Sequence, residues 1–120
     1  GVTLMARGED PANVNIPKML IIESHRLIYA SRAAVPMSKG GDMSAPYYKQ
    51  VCIYGYNKDD LMMFKNFGRK SRIENVEDIE ILRFYEMDRS IMTFECSTGS
   101  LAVDVPSDVA LVERALKKRV

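Results

Sequence analysis

Residues 101–116 read Leu101-Ala-Val-Asp104-Val-Pro106-Ser-Asp108-Val-Ala-Leu-Val-Glu-Arg-Ala-Leu116 and join a short apolar run to an amphipathic helix. Pro106 stands at or near the first helical position, where a missing N–H costs nothing. Asp108 places negative charge in the first turn, which the helix dipole favours. An apolar stripe then recurs at helical spacing, formed by Val109, Val112, Ala115 and Leu116. We expect this strand–acid–helix unit to lie at the mouth of an α/β sheet, where ligands usually bind.

Asp104 ends the apolar run, and its residue type fits two roles. The carboxylate can be a turn acid that only caps local backbone groups. It can also be a ligand that the strand delivers to a binding site. The segment by itself leaves both interpretations open.

Composition indicates one small, nearly neutral domain. The 120 residues carry 17 Lys and Arg against 16 Asp and Glu, so no strong electric field points to nucleic acid or to a membrane surface. No apolar run approaches the roughly 20 residues that a membrane span needs, and no signal peptide is visible. We therefore expect a cytoplasmic protein. Cys52 and Cys96 lie in apolar runs without paired spacing, which predicts buried, reduced thiols and argues against zinc.

The first half of the chain predicts strands joined by loops. Residues 2–5 and 18–22 are short apolar runs, and residues 27–29 complete a hairpin whose tip holds His25 as a solvated turn residue. Small and turn-forming residues dominate positions 37–46, which predicts a mobile loop.

The second half predicts strands and helices in alternation. Residues 47–56 are rich in β-branched and aromatic side chains and predict a long strand buried on both faces. Residues 58–67 predict a helix capped by Asn57 and ended by Gly68. A helix over 73–87 follows a capping box, and residues 90–96 alternate as a strand. The fold class is therefore α/β, with a mixed sheet and flanking helices.

Five segments in a fixed order carry a resemblance to a known family. They are Asp10-Pro11 with Asn13-Val14 and Pro17-Lys18, Tyr29-Ala-Ser31-Arg32 with Val35-Pro36, Ile53-Tyr54-Gly55-Tyr56, Glu77-Asp-Ile-Glu80-Ile-Leu82-Arg83, and Val103-Asp104-Val-Pro106-Ser-Asp108-Val. Together they resemble the C-terminal half of the CMP-Kdo synthetases, the cytidylyltransferases that activate 3-deoxy-manno-octulosonate. That family has the nucleotide-diphospho-sugar transferase (Rossmann-like) fold, as do the acylneuraminate cytidylyltransferases.

The resemblance implies a reaction and a division of the molecule. The parent enzyme would transfer a cytidylyl group from CTP to a sugar acid with Mg²⁺, and would be a homo-oligomer. The family's nucleotide loop and first metal-binding aspartate lie in its N-terminal half, so residues 1–120 would be one domain that is inactive alone. The alternative is a non-catalytic binding or assembly domain that retains the fold.

The resemblance also implies roles for particular residues. Asp104 would be the catalytic Mg²⁺ ligand, a hard oxygen donor that suits this cation. Tyr54 and Glu80 would contact the sugar acid, and Arg32 would help to hold either the sugar or the dimer loop. At two sugar-facing positions the chain departs from the family pattern, with Gln50 in place of histidine and Ile81 in place of glutamine. These departures leave open which octulosonic or nonulosonic acid is bound.

Overall fold

The computed structural model describes residues 1–97, 103 and 105–117, and its centre is one four-stranded sheet. The strands lie in the order β1-β4-β2-β3, with β1 at Val2–Leu4, β2 at Lys18–Ile21, β3 at Leu27–Ser31 and β4 at Tyr48–Gln50. Neighbouring strands pair antiparallel, and a parallel bridge joins Val2 to Glu95. The α/β class is confirmed, but the four strands form an antiparallel sheet, and the parallel bridge joins β1 to a residue outside them.

The helices are short and follow the sheet strands in the sequence. They are α1 (Lys58–Phe67), α2 (Arg72–Glu77), a 3₁₀ turn (Glu80–Leu82), α3 (Arg83–Glu86) and α4 (Asp108–Lys117). Within the described part of the chain, none of these helices combines the length and the apolar character that a bilayer crossing requires.

The predicted hairpin is confirmed as β2 and β3. Met19 pairs with Ala30, and an irregularity between Leu20 and Ile21 shifts the register before the turn. His25 stands exposed in that turn with φ 60°, a left-handed conformation typical of turn residues. The loop over 37–46 lies at the surface, and its mobility stays a prediction.

The strand predicted over 47–56 is wrong beyond Gln50. Gln50 donates its N–H to the carbonyl of Pro17, but Pro17 has no N–H to return, so the pairing with the β2 segment stops there. The Ile53 N–H then donates to the Val51 carbonyl at 2.7 Å and turns the chain outwards. Ile53 is consequently 55% exposed instead of buried on both faces.

Helix caps follow the sequence closely. The Asn57 side chain accepts a hydrogen bond from the Asp60 N–H at the start of α1, and Gly68 ends α1 with φ 67°. At the start of α2, Ser71 and Glu74 form a complete capping box in which each side chain bonds the other residue's backbone N–H. These local predictions are confirmed.

The single helix predicted over 73–87 is wrong. Asp78 adopts a left-handed conformation with φ 52°, which ends α2, and its N–H donates to the Glu74 carbonyl. Aspartate tolerates this conformation better than most residues. Ile79 is extended and buried, and the chain resumes as the 3₁₀ turn and α3. The break moves Glu80 from a helix interior to the start of a turn.

The strand predicted over 90–96 is wrong: the segment carries only isolated bridges, at Met92 and Glu95. The Val2 N–H donates to the Phe94 carbonyl at 2.9 Å, and the Cys96 N–H donates to the Val2 carbonyl at 2.7 Å. Both cysteines are free thiols, as predicted, but Cys52 is exposed and Cys96 is only half-buried. The prediction that both thiols are buried is therefore wrong for Cys52. The strand expected to include Cys52 ends at Gln50, so Cys52 lies outside the sheet.

The hydrophobic core joins the sheet to the segment that follows α2. From the strands it takes Val2, Met19, Leu27 and Ala30, and from residues 79–82 it takes Ile79, Ile81 and Leu82. The apolar stripe predicted for α4 is less buried than expected, since Val109 is 45% and Leu116 is 58% exposed.

One row across the sheet is polar and buried. The strand register places Thr3 opposite Lys49, Lys49 opposite Lys18, and Lys18 opposite Ser31. Paired residues share a face of the sheet, so the Lys18 and Lys49 side chains are neighbours, an arrangement of like charges that is destabilising without compensation. Lys49 is compensated by an ion pair with Glu9. The Lys18 Nζ donates to the carbonyls of Asn13 at 2.7 Å and Arg32 at 2.5 Å.

Candidate functional site

An open pocket of about 710 Å³ lies at the edge of the sheet where β3 and β4 end. Its walls come from the loop over 8–17, from Arg32, from residues 49–54, from residues 78–80 and from the start of α4. A volume of this size accommodates a sugar or a nucleotide fragment.

Four of the residues predicted to bind substrate line this one pocket. They come from three separate segments of the chain and are Arg32, Gln50, Tyr54 and Glu80. Glu80 follows the break after α2, and Tyr54 follows the early end of β4; the sequence pattern predicted neither feature.

Asp104, the predicted metal ligand, lies outside the described residues. Its chain neighbour Val105 and the more distant Asp108 line the pocket. The Val105 N–H donates to the Asp108 Oδ2 at 3.0 Å, which closes the turn into α4. The role of Asp104 stays a prediction.

Gln50 and Tyr54 form a hydrogen-bonded pair in the pocket wall. The Gln50 Nε2 donates to the Tyr54 hydroxyl oxygen at 2.6 Å. Burial, followed by the hydrogen bond and charge of Cys52, raises the pKa of the Tyr54 phenol well above its ordinary value. The phenol therefore keeps its proton at neutral pH and can donate it to an oxygen of a ligand.

A series of stacked aromatic rings packs against Tyr54. The ring centroids of Tyr54 and Tyr56 are 6.0 Å apart, and those of Tyr56 and Phe84 are 5.3 Å apart. Phe64 of α1 stacks on Phe84 at 5.2 Å. Because Phe84 is buried, the series connects the half-exposed Tyr54 ring to the interior.

Arg32 is held by main-chain oxygens on both sides of the pocket. Its Nε donates to the Glu77 carbonyl at 2.5 Å, and its Nη2 donates to the Asp78 carbonyl at 3.1 Å. Its Nη1 donates to the Val14 carbonyl at 2.8 Å. Three of the five guanidinium N–H groups are used in this way, which leaves capacity for an anionic ligand.

Glu80 and Ile81 are neighbours with different surroundings. Glu80 opens the 3₁₀ turn, is exposed and lines the pocket. Ile81 is buried in the hydrophobic core and is not among the residues that line the pocket. The expectation that position 81 faces the ligand is therefore wrong for this chain, and an apolar residue there serves packing.

Sequence reasoning missed two polar features of the site. One is the ion pair between the Lys49 Nζ and the Glu9 Oε1, both of which line the pocket. Lys49 and Gln50 are polar residues within a largely apolar and aromatic run, which was a usable signal, whereas nothing in the sequence connects Lys49 to Glu9. The other is Glu77, to which the sequence pattern gives no role in the site.

Glu77 accepts hydrogen bonds from the end of β3. The Tyr29 hydroxyl and the Ser31 Oγ donate to its Oε1 at 3.0 and 2.8 Å, and the Arg32 N–H donates to its Oε2 at 2.8 Å. Burial opposes ionisation of this carboxyl, but the three hydrogen bonds outweigh it and hold the pKa of Glu77 below its usual value. Glu77 is therefore an ionised acceptor at neutral pH.

The described residues do not form a metal centre by themselves. Across residues 1–97, 103 and 105–117, no three His, Cys, Asp or Glu side chains are grouped closely enough to hold an ion.

Comparisons with curated proteins find cytidylyltransferases that are similar to this chain. The chain is 32% identical over 118 residues to the 3-deoxy-manno-octulosonate cytidylyltransferase of Solibacter usitatus (strain Ellin6076), covering 96% of this chain and 46% of the relative. It is 33% identical over 108 residues to the enzyme of the same name from Desulfatibacillum aliphaticivorans, covering 90% of this chain and 42% of the relative. No family model matches the sequence.

A solved structure shows the same likeness. The structure of CMP:2-keto-3-deoxy-manno-octonic acid synthetase complexed with CTP matches with a TM-score of 0.81 at 25% identity, covering 99% of this chain and 48% of that one. The chain therefore has the fold of part of a CMP-Kdo synthetase, which confirms the resemblance in its sequence. It spans about half the length of the curated relatives that it matches.

Proposed function

We propose that this chain supplies the sugar-acid-binding part of a cytidylyltransferase. The enzyme transfers a cytidylyl group from CTP to a 3-deoxy-2-keto sugar acid, which is either Kdo or a sialic-acid-like sugar, for cell-surface polysaccharide synthesis. The observation that carries this proposal is the convergence of Arg32, Gln50, Tyr54 and Glu80 on one pocket. The similarity to cytidylyltransferases over nearly the whole chain supports it.

The polar groups of the pocket match the chemistry of a sugar acid. Glu80 accepts hydrogen bonds from sugar hydroxyls, and the protonated Tyr54 phenol donates to a sugar oxygen. The guanidinium of Arg32 attracts the carboxylate. Gln50 orients the Tyr54 hydroxyl through the 2.6 Å hydrogen bond between them.

The proposed reaction is a displacement at phosphorus. The anomeric hydroxyl oxygen of the sugar acid attacks the α-phosphorus of CTP, a new P–O bond forms, and the bond to the β-phosphate oxygen breaks. Pyrophosphate leaves, and the hydroxyl proton passes to solvent. No covalent enzyme intermediate is required, so the residues of this chain act by binding and orienting the attacking sugar.

We propose Asp104 as a ligand of the Mg²⁺ that the reaction requires. When bound, the cation neutralises phosphate charge and polarises the reacting phosphoryl group. A position between Val103 and the pocket residue Val105 supports this proposal. The second ligand would come from the part of the enzyme that the longer relatives possess beyond the matched region.

We further propose that the complete enzyme is a cytoplasmic homo-oligomer. Apolar side chains at the surface of this chain support assembly, among them Leu61 and Met62 of α1 and Leu116 of α4, all at least 45% exposed.

Pyrophosphate release tests the function. The full-length protein, given CTP, Mg²⁺ and a panel of 3-deoxy-2-keto acids, should release pyrophosphate with at least one of them. The isolated 120 residues should release none, because the nucleotide-binding part is missing from them. CMP-sugar formation by the isolated chain would contradict the proposed division of the site, and a full-length protein inactive with every acid would favour the non-catalytic binding domain instead.

Replacing Glu80 tests the sugar contact. Glu80→Gln should lower kcat/KM for the sugar acid by about 10- to 100-fold, because hydrogen bonds to a charged acceptor contribute about 1.5–3 kcal/mol. Since Glu80 is exposed, the melting temperature should hardly change. Glu86→Gln, at an exposed position of α3 that does not line the pocket, is the matched control. A Glu80→Gln enzyme with unaltered kcat/KM would remove Glu80 from the site.

A further inference from the structure

We propose that Glu77 is a positioning residue, which fixes Arg32 in the pocket wall for an anionic oxygen group of a substrate; the identity of that substrate rests on the proposed function. Glu77 and Arg32 bind each other twice. The Glu77 carboxylate accepts the Arg32 backbone N–H at 2.8 Å, and the Arg32 Nε donates to the Glu77 carbonyl at 2.5 Å. The carboxylate of Glu77 therefore fixes the backbone of Arg32, and the main-chain carbonyl of Glu77 holds its guanidinium.

The hydrogen bonds of Glu77 also join parts of the chain that are far apart in sequence. Its Oε1 accepts from Tyr29 and Ser31, so the C-terminal end of β3 is tied to the C-terminal end of α2. The Arg32 guanidinium extends this connection to the carbonyls of Val14 and Asp78, which belong to two other walls of the pocket.

Burial makes this arrangement stiff. Ser31 is 3% exposed and Glu77 is partly buried, so water competes poorly for these hydrogen bonds. A guanidinium bound by three fixed carbonyls loses little further conformational freedom when it binds an anion. Preorganisation of this kind improves affinity by lowering the cost of ordering the site.

A fixed Arg32 can serve either of two anionic groups in the proposed reaction. One is the carboxylate of the sugar acid, and the other is a phosphate of CTP. Both offer oxygen atoms to a planar guanidinium. The two groups can be distinguished by measuring which substrate's KM changes when Glu77 is replaced.

The first test is a pair of variants in the full-length protein, Glu77→Gln and the control Glu86→Gln. The glutamine keeps the size of the side chain but removes the charge and one acceptor oxygen. We expect KM to rise about tenfold for one substrate, with kcat and the other KM within twofold of wild type. A rise in the KM of the sugar acid assigns Arg32 to the carboxylate, and a rise in the KM of CTP assigns it to a phosphate. A fall in kcat with both KM values unchanged would indicate a merely structural role and overturn the proposal.

A second measurement does not depend on activity. In Glu77→Gln, hydrogen exchange at the Arg32 amide and in residues 13–17 should be at least about tenfold faster, because the anchor of both is weakened. Exchange in α1, which is remote from Glu77, should be unchanged. Unaltered exchange at Arg32 would overturn the positioning role. A wild-type protein that releases no pyrophosphate with any keto acid would instead refute the proposed function, and the exchange result would still decide the role of Glu77.

Discussion

Glu74→Ala should destabilise the protein by about 3–5 kcal/mol in urea denaturation, the usual cost of removing one partner of a buried ion pair. The Glu74 side chain is 2% exposed and that of Arg83 is 12% exposed. Arg83 donates through Nη2 and Nε to the two carboxylate oxygens at 2.5 and 2.7 Å, and the Ser71 N–H donates to Oε2 at 2.9 Å. Alanine would leave a nearly buried guanidinium and a buried backbone N–H without these acceptors.

Two further variants make this result specific. Glu113→Ala, at an exposed position of α4, should change the free energy of unfolding by no more than about 0.5 kcal/mol. The double replacement Glu74→Leu with Arg83→Met should recover part of the loss, because it leaves no unpaired buried charge. If Glu74→Ala is as stable as the Glu113 control, the ion pair does not stabilise the fold.

The same ion pair predicts an acid-dependent stability. Hydrogen bonds from Arg83 hold the pKa of Glu74 below the usual range of a glutamate, in spite of burial, which acts in the opposite direction. A carboxyl whose pKa is depressed in the folded state contributes stability that is complete above its unfolded pKa and is lost as the pH falls through the folded pKa. The free energy of unfolding should therefore fall below about pH 4.5, and Glu74→Gln should remove part of that dependence.

Asp104→Ala should abolish most of the turnover of the full-length enzyme. As the proposed Mg²⁺ ligand, Asp104 would contribute transition-state stabilisation of several kcal/mol, whose loss corresponds to roughly a 10³-fold lower kcat at 1.36 kcal/mol per factor of ten. Binding of Mn²⁺, followed by electron paramagnetic resonance, should weaken in parallel. The matched control is Asp59→Asn, an exposed acid in the first turn of α1. Unchanged turnover with CTP and Mg²⁺ would show that Asp104 is not a metal ligand.

Local signals in the sequence predicted local structure well. The Asn57 and Gly68 caps and the Ser71–Glu74 capping box appear where the residue types require them, because each depends on contacts within a few residues. The hairpin of β2 and β3 was predictable for the same reason.

Two of the secondary-structure predictions that were wrong depended on residues far away in the sequence. The strand over 47–56 looked continuous, but its end is set by Pro17, more than thirty residues earlier, which cannot donate to it. The helix over 73–87 breaks at Asp78, while Glu77 is engaged by β3 and Ile79 is buried in the core. Hydrogen bonds of this kind connect residues that are too far apart in the sequence for a local pattern to relate them.

The residues of the candidate site could be predicted from the sequence mainly through the family resemblance. Periodicity alone left Asp104 between two roles and gave no reason to group Arg32 with Tyr54 and Glu80. The structure adds the grouping of those three residues with Gln50, and it removes Ile81 from the pocket. It also adds Glu77, whose importance lies entirely in tertiary hydrogen bonds.

The hydrogen bonds of Lys18 determine which nearby positions can change in evolution without leaving its buried charge unpaired. Its buried ammonium donates only to oxygens of the peptide backbone in the hydrogen bonds described above, at Asn13 and Arg32. A carbonyl acceptor survives any substitution at its own position, so the identities of those two residues can change without unpairing the charge. Position 18 should therefore accept few substitutions, whereas substitutions at positions 13 and 32 leave the hydrogen bonds of Lys18 in place.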